Sequence, residues 1–250
     1  MTPASDASRK DLDRATSAFI AVTAHKIHTP VASIKWQVET LLAGDIGELT
    51  SNQRESLQAV MDAAERLNDL SRALLYVFEL EKDMPMVKLQ EADVYMLIER
   101  VVKNLGGLTK ERNVHIQCER PQTVVNVHVD SELAFVILRT LLENAILYSP
   151  TKSVVNVRVT ERASSTDICV GDKGCGIPGE FHNLVFTKFF RAPNGKRVWT
   201  EGSGLGLYVA GEIAKRTGGE ITFESEEGKG STFCWRIPKR KMGRQPWEKR

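Results

Sequence analysis

From Leu12 to about Leu42 the apolar residues fall at helical spacing, at Phe19, Val22, Ile27, Val31, Ile34, Val38 and Leu41, with polar residues between them. Steps of three and four set one stripe along one side of a helix. The pattern stops at "AGDIGELTSNQ", which reads as an interhelical loop with Thr50 or Ser51 available as the next N-cap. It resumes at Leu57, Val60, Ala64, Leu67, Ser71, Leu74 and Phe78, up to "ELEKDMP". Two long helices on a short loop predict an antiparallel hairpin whose stripe is too wide to bury on one partner. A second copy is the natural cover and gives a four-helix bundle as a homodimer; the alternative is docking of the hairpin on the C-terminal part of its own chain.

After Pro85 the period changes. "VHIQC", "VVNVHV", "SVVNVRVTE", "TDICVGD", "EITFES" and "STFCWRI" read as strands, with Val155, Val157 and Val159 facing one way and Asn156, Arg158 and Thr160 the other. Helical patterns fall at roughly 92–105, 131–148 and 204–217. The fold class expected is therefore α+β: a two-helix hairpin, then a two-layer α/β sandwich with one sheet face covered by helices and mixed strand directions. The boundary falls near residues 82–86. This divides the chain into a hairpin at 12–82 and an α/β domain at 86–238, with a polar segment at 1–18 and a basic tail at 239–250.

Composition narrows the partners. The 250 residues carry 34 Lys and Arg against 32 Asp and Glu, a formal net charge of +2, which argues against nucleic acid or an anionic membrane as the main partner. No stretch approaches the roughly 20 apolar residues that span a bilayer. The N-terminus is polar with no signal-peptide core, so a cytoplasmic location is expected. The four cysteines, Cys118, Cys169, Cys175 and Cys234, show no CxxC spacing, which predicts reduced, packed thiols rather than a zinc site or disulfide framework.

Four clusters in the α/β part carry candidate chemistry. In "LLENAILYSP", Asn144 lies one step off the apolar stripe of Leu138, Leu141, Leu142 and Ala145, where its carbonyl can serve a hard cation. In "VGDKGCGIP", an apolar strand ends on Asp172 and is followed by Gly174 and Gly176. That carboxylate suits an exocyclic amine, and the glycines let backbone approach a ligand. In "TEGSGLGLYVAGEIAKRTGG", Gly202, Gly204 and Gly206 lead into an apolar helix whose free N–H groups and dipole favour phosphate. No GK[ST] follows, and the spacing is not that of a dinucleotide fingerprint. Between these two clusters, "FTKFFRAPNGKRVW" has the composition of a lid over an anion. In "EEGKGSTFCWRIP" a glycine turn offers Thr232 as a polar contact. Upstream, in "TAHKIHTP", Pro30 cannot donate to the carbonyl of Lys26, so a bend is expected just after His25 that exposes the imidazole.

Taken in this order, the motifs resemble the catalytic core of two-component sensor histidine kinases over residues 12–238. "AHKIHTP" resembles the phosphoacceptor box, "LLENAILYSP" the N box, "DKGCGIP" and "GSGLGL" the glycine boxes, and "FTKFFR" the F box. The resemblance implies a dimerising histidine-phosphotransfer hairpin and a Bergerat-type ATP-binding domain. By it, His25 is the nucleophile for the γ-phosphoryl group, Asn144 holds Mg²⁺, and Thr29 activates water for dephosphorylation of a response-regulator receiver domain. It also assigns ATP contacts to Asn144, Tyr148, Asp172, Gly174, Gly176, Phe189, Arg191, Gly202, Gly204, Leu205, Gly206 and Thr232.

Three positions depart from that pattern. Lys26 stands where an acidic or amide residue follows the histidine, Thr140 where a second N-box asparagine is usual, and Leu147 where a phosphate-contacting lysine is usual. Lys188, Arg191, Lys196 and Arg197 are candidates to replace that charge, and His28 is a minor second phosphoacceptor candidate. The departures leave open a degenerate kinase that acts as a nucleotide-binding dimeric scaffold or regulator-binding module. A gyrase-like or chaperone-like ATPase fits poorly, because its general-base glutamate would fall where Thr140 stands.

Overall fold

The computed structural model describes residues 27, 29–44, 47–61, 63, 64, 67, 71, 87–119, 123–200 and 202–239. The chain forms two compact units, Met1–Pro85 and Met86–Arg250. Among the described residues no helix is long and apolar enough to cross a membrane.

In the first unit, helix α1 covers 29–43 and helix α2 covers 51–61. Gly44 ends α1 at φ 87°, its N–H donating to the Leu41 carbonyl at 3.1 Å. A left-handed residue there satisfies an end carbonyl without a Cβ penalty. Thr50 is the N-cap of α2 and forms a reciprocal box with Gln53. Its Oγ1 accepts from the Gln53 N–H at 3.3 Å, while Gln53 Oε1 accepts from the Thr50 N–H at 2.9 Å. Arg54 of α2 donates to the Leu42 carbonyl of α1 at 3.1 Å, joining the two helix ends. Val31 and Val38, one heptad apart, are buried, whereas Ile34, Trp36, Val60 and Leu67 are exposed. His25, Lys26 and His28 lie outside the described residues, as does the bend expected after His25.

The second unit runs β1 (Gln90–Asp93), α3 (Val94–Asn104), α4 (Gly106–Arg112), β2 (His115–Cys118), β3 (Asn126–Val129), α5 (Ser131–Tyr148), β4 (Val154–Glu161), β5 (Ser165–Gly171), a 3₁₀ turn (Gly179–Leu184), α6 (Pro193–Val198), α7 (Gly206–Arg216), β6 (Glu220–Glu226) and β7 (Gly230–Pro238). The main sheet has the order β2-β4-β5-β7-β6, with β2 and β4 parallel and the other neighbours antiparallel. The strand expected at "VVNVHV" forms but pairs with β1 in a separate two-stranded sheet. Neither β1, "QEAD", nor the short helices α4 and α6 carries an apolar period that sequence could display.

Asp130 starts α5 by accepting from the N–H groups of Glu132 and Leu133 at 3.1 and 3.2 Å. Leu138, Leu141, Leu142 and Ile146 of α5 are fully or almost fully buried beside Ile213 of α7, over a sheet face made by Val155, Val157, Ile168, Val170, Phe233, Trp235 and Ile237. Alternation puts Asn156, Arg158, Thr222, Glu224 and Thr232 on the opposite, exposed face. On that same face Asp167 is buried between Arg162 and Arg236, at 2.7 and 3.0 Å. Burial pushes its carboxyl up, but the two guanidinium groups outweigh this and hold it below the usual range.

The expectation of four reduced thiols is corrected here. Cys169 of β5 and Cys234 of β7 lie directly opposite and are joined by a disulfide, while Cys118 and Cys175 take part in none. The 65-residue separation hides in the sequence what the strand register creates.

Candidate nucleotide site

β5 delivers Asp172 at its end, on the helix-covered side of the sheet. Its Oδ1 accepts from the N–H groups of Gly174 at 2.8 Å and Ser231 at 3.3 Å, and its own N–H donates to the Ser231 carbonyl at 2.8 Å. Among the described residues Oδ2 has no hydrogen-bond partner. Burial raises the carboxyl from the ordinary 3.8 to about 6, against the lowering effect of the two N–H donors. The neighbouring Cys175 thiol is raised as well, first by burial and then by the charge of Asp172. An acceptor oxygen kept unpaired in a half-buried niche suits a donor brought by a ligand.

Three glycines shape this niche by excluding side chains. A Cβ on Gly174 would stand 2.3 Å from the Tyr148 carbonyl, so the turn lies on the C-terminal end of α5. Gly176, at φ +61°, would place a Cβ 1.9 Å from the Glu226 carbonyl, and Gly230, at φ +107°, would place one 2.2 Å from the Asp172 carbonyl. Both combine a left-handed backbone with no room. Gly230→Ala is accordingly expected to cost about 3 kcal/mol and to lower the melting temperature by on the order of 10 °C, read by thermal denaturation.

The structure separates two neighbours that sequence had confused. Ser231, not Thr232, meets Asp172: Thr232 is exposed on the other sheet face, and Ser231 is buried with its Oγ 2.8 Å from Ser225 Oγ. The structure brings Ser231 rather than Thr232 to the niche, because a step of one residue along a strand changes the face.

The opposite wall is built by α5, α6 and the start of α7. Asn144 is half-buried on α5, and its amide has no hydrogen-bond partner among the described residues. The Tyr148 ring packs on α6, where a Cβ on Gly195 would stand 3.2 Å from its Cε1. Asn194 of α6 donates from Nδ2 to the carbonyls of Gly176 at 2.9 Å and Cys175 at 3.3 Å, fastening this helix to the glycine turn after Asp172. Neither Asn194 nor Gly195 is among the residues that sequence motifs single out; the dipeptide "NG" in "RAPNGK" was the available signal.

Gly204, at φ +70°, lies against the backbone of Phe189, where a Cβ would stand 2.7 Å from the Phe189 carbonyl carbon. Phe189 is itself left-handed at φ 63° with an exposed ring. Such a conformation is costly for an aromatic residue. The Arg191 guanidinium packs on Gly202 and donates to the carbonyls of Thr200, at 2.7 Å, and Trp199. Leu205 is fully buried, so only its backbone is available to a ligand. The first turn of α7 has no side-chain cap, which leaves its N–H groups for an anion. Of the lid cations proposed as substitutes, Lys188 lies over the Tyr208 ring at 5.2 Å, while Lys196 and Arg197 are exposed on α6.

Thr140 and Leu147 are committed to packing. A Cβ on Gly206 would meet Thr140 Cγ2 at 3.2 Å, and Leu147 is buried. Thr29 is helical and exposed in the other unit. Among the described residues no group of three His, Cys, Asp or Glu side chains is placed to hold a metal ion. A magnesium ion that took most of its ligands from phosphates and water would find in this donor set the unpartnered side-chain oxygen of Asn144.

Comparison with known proteins agrees with this geometry. Residues 129–241 match the family described as histidine kinase-, DNA gyrase B-, and HSP90-like ATPase, and residues 15–82 match the His Kinase A (phospho-acceptor) domain. The sensor-like histidine kinase SenX3 of Mycobacterium tuberculosis is 29% identical over 233 residues, 93% of this chain and 54% of SenX3. The chain thus spans about half the length of this curated relative. Among solved structures, full-length ShkA in complex with AMPPNP superposes with a TM-score of 0.68 at 20% identity, over 88% of this chain and 45% of ShkA. Acinetobacter baumannii histidine kinase AdeS gives 0.60 at 20% identity, over 86% of this chain and 97% of AdeS. A His Kinase A (phospho-acceptor) domain followed in the same chain by an ATPase-family domain is the make-up of a histidine kinase catalytic core.

Proposed function

We propose that this chain is an ATP-dependent protein-histidine kinase that autophosphorylates His25 and passes the phosphoryl group to an aspartate of a response-regulator receiver domain. The observation that carries the reading is the unpaired Oδ2 of half-buried Asp172 between glycine turns, in a chain whose residues 15–82 match the phosphoacceptor family. Asp172 accepts the adenine amine, Tyr148 and Gly176 flank the base, and the first N–H groups of α7 meet the phosphates with Gly202, Gly204 and Gly206. Mg²⁺ on Asn144 offsets phosphate charge when bound. His25, as neutral imidazole, attacks the γ-phosphorus in line, and Thr29 orients water when the phosphorylated regulator is hydrolysed.

The reading places phosphotransfer in 12–82 and nucleotide binding in 86–238, on the cytoplasmic side. It also makes the protein a homodimer, because Ile34, 45% exposed on the same helical stripe as buried Val31 and Val38, is a position a second hairpin covers. A nucleotide-binding scaffold is the second reading, favoured by Thr140 and Leu147, whose side chains are spent on packing. The test is incubation with γ-labelled ATP and Mg²⁺. Acid-labile, alkali-stable label on the protein is expected; no label, with a fluorescent ATP analogue still bound, would overturn the kinase and leave the scaffold.

A further inference from the structure

We propose that Cys169 and Cys234 form a thiol–disulfide exchange site that takes low-molecular-weight thiols and disulfides and sets the nucleotide affinity of the ATP-binding unit. The two residues oppose each other on β5 and β7 with their Cα atoms 4.0 Å apart, the approach of a non-hydrogen-bonded pair, where facing side chains are closest. They lie on the sheet face that carries no helices, and both are partly exposed. The next residue on that face of β5 is Gly171, which has no side chain to cover the pair. A small thiol therefore reaches the sulfurs without unfolding the helical layer.

Charge around the pair distinguishes the two sulfurs. Arg158 of β4 stands directly across from Cys169, whereas the far neighbour of Cys234 across the sheet is Thr222 of β6. Arg236, two residues beyond Cys234, is engaged with Asp167 and Glu220. A cation beside a sulfur favours its thiolate, so Cys169 is the better leaving group. In reduction, a thiolate RS⁻ attacks Cys234 Sγ, the S–S bond breaks, and Cys169 departs as thiolate. A second RS⁻ attacks the mixed disulfide, releasing Cys234 and R–S–S–R. Two RSH are oxidised, the protein gains two thiols, and the reverse sequence uses R–S–S–R as oxidant.

The bond is coupled to the nucleotide site through the same two strands. Three residues on from Cys169 lies Asp172, and three before Cys234 lies Ser231, and these two share the N–H···O contacts that close the niche. The segment between the cysteines, which are 65 positions apart, includes the glycine turns, α6 and α7. Reduction removes the covalent tie at the base of that segment and leaves the β5–β7 ladder alone to hold it.

The experiment equilibrates the full chain, without denaturant, in glutathione buffers of graded thiol-to-disulfide ratio. Alkylation followed by mass measurement counts free thiols, and the affinity for a fluorescent ATP analogue and the melting temperature are read on each sample. Expected are two alkylated cysteines at the oxidised end and four at the reduced end, with at least threefold weaker binding and a lower melting temperature when reduced. Cys169→Ser and, separately, Cys234→Ala should bind like the reduced parent in every buffer. A thiol count that changes only in denaturant, or a change with equal affinity in both forms, overturns the proposal. Loss of nucleotide binding in all buffers would instead count against the ATP site, since thiol count and melting temperature still report the exchange.

Discussion

His25→Gln is expected to reduce protein labelling from γ-labelled ATP to background while nucleotide affinity stays at the parental value. Glutamine approximates the reach of histidine and keeps a hydrogen-bonding end, but its amide nitrogen has no lone pair free to attack phosphorus. Losing a covalent nucleophile removes the step itself rather than part of its stabilisation, so a fall of at least about 10⁴-fold is the scale to look for. Nucleotide affinity should not follow, because every proposed nucleotide contact belongs to the unit Met86–Arg250 and His25 to the unit Met1–Pro85. Equilibrium binding of a fluorescent ATP analogue beside the labelling time course separates the two. Persistent label in the variant, lost only on His28→Gln, would move the phosphoacceptor by three residues along the same sequence box.

Asp172→Asn should raise the dissociation constant for ATP at least 100-fold and, at neutral pH, leave the protein as stable or more stable. The amide keeps an oxygen for the Gly174 and Ser231 N–H groups, so the niche survives, but it presents a donor where the adenine amine also donates. The stability effect has a definite sign. The folded carboxyl sits at about 6, above its ordinary 3.8, so the folded state holds the proton more tightly than the unfolded one. Ionising it therefore costs stability progressively between about pH 4 and pH 6, and the full cost, on the order of 3 kcal/mol, is present above that window. The neutral variant is spared this cost. Affinity runs the other way, because the ionised form is the one that accepts the amine. From pH 7 to pH 5 the parent should lose about tenfold in affinity, whereas the variant should show little change across the range. A parental affinity that stays flat from pH 7 to pH 5 would remove Asp172 from the base-binding role.

How far the sequence could be read depended on whether a feature is local. The α5 stripe and the alternating valines of β4 are properties of single segments, and both elements form where the pattern places them, at Ser131–Tyr148 and Val154–Glu161. The N-cap at Thr50 was one of two local candidates, and the reciprocal bond to Gln53 selects it. Gly176 and Gly230 announce left-handed turns, though nothing in their neighbourhood says which carbonyl would obstruct a side chain. Ser231 was missed because the face of a residue depends on where the strand begins, and "GKGST" leaves that start undefined by one step. The disulfide and the Asn194 contacts depend on strands and loops brought together from distant parts of the chain. No segment could show them alone.

The attachment of α6 by Asn194 and by the Tyr148 ring also sets how the site exchanges its contents. Asn194 holds the helix by two neutral hydrogen bonds, at 2.9 and 3.3 Å, each worth about 1 kcal/mol net. Undocking breaks those two bonds, at roughly 2 kcal/mol, and also the packing of Gly195 on the Tyr148 ring, so the open form is a minor one. Residence time is then set by how firmly the base and phosphates are held together with how often this short helix lifts.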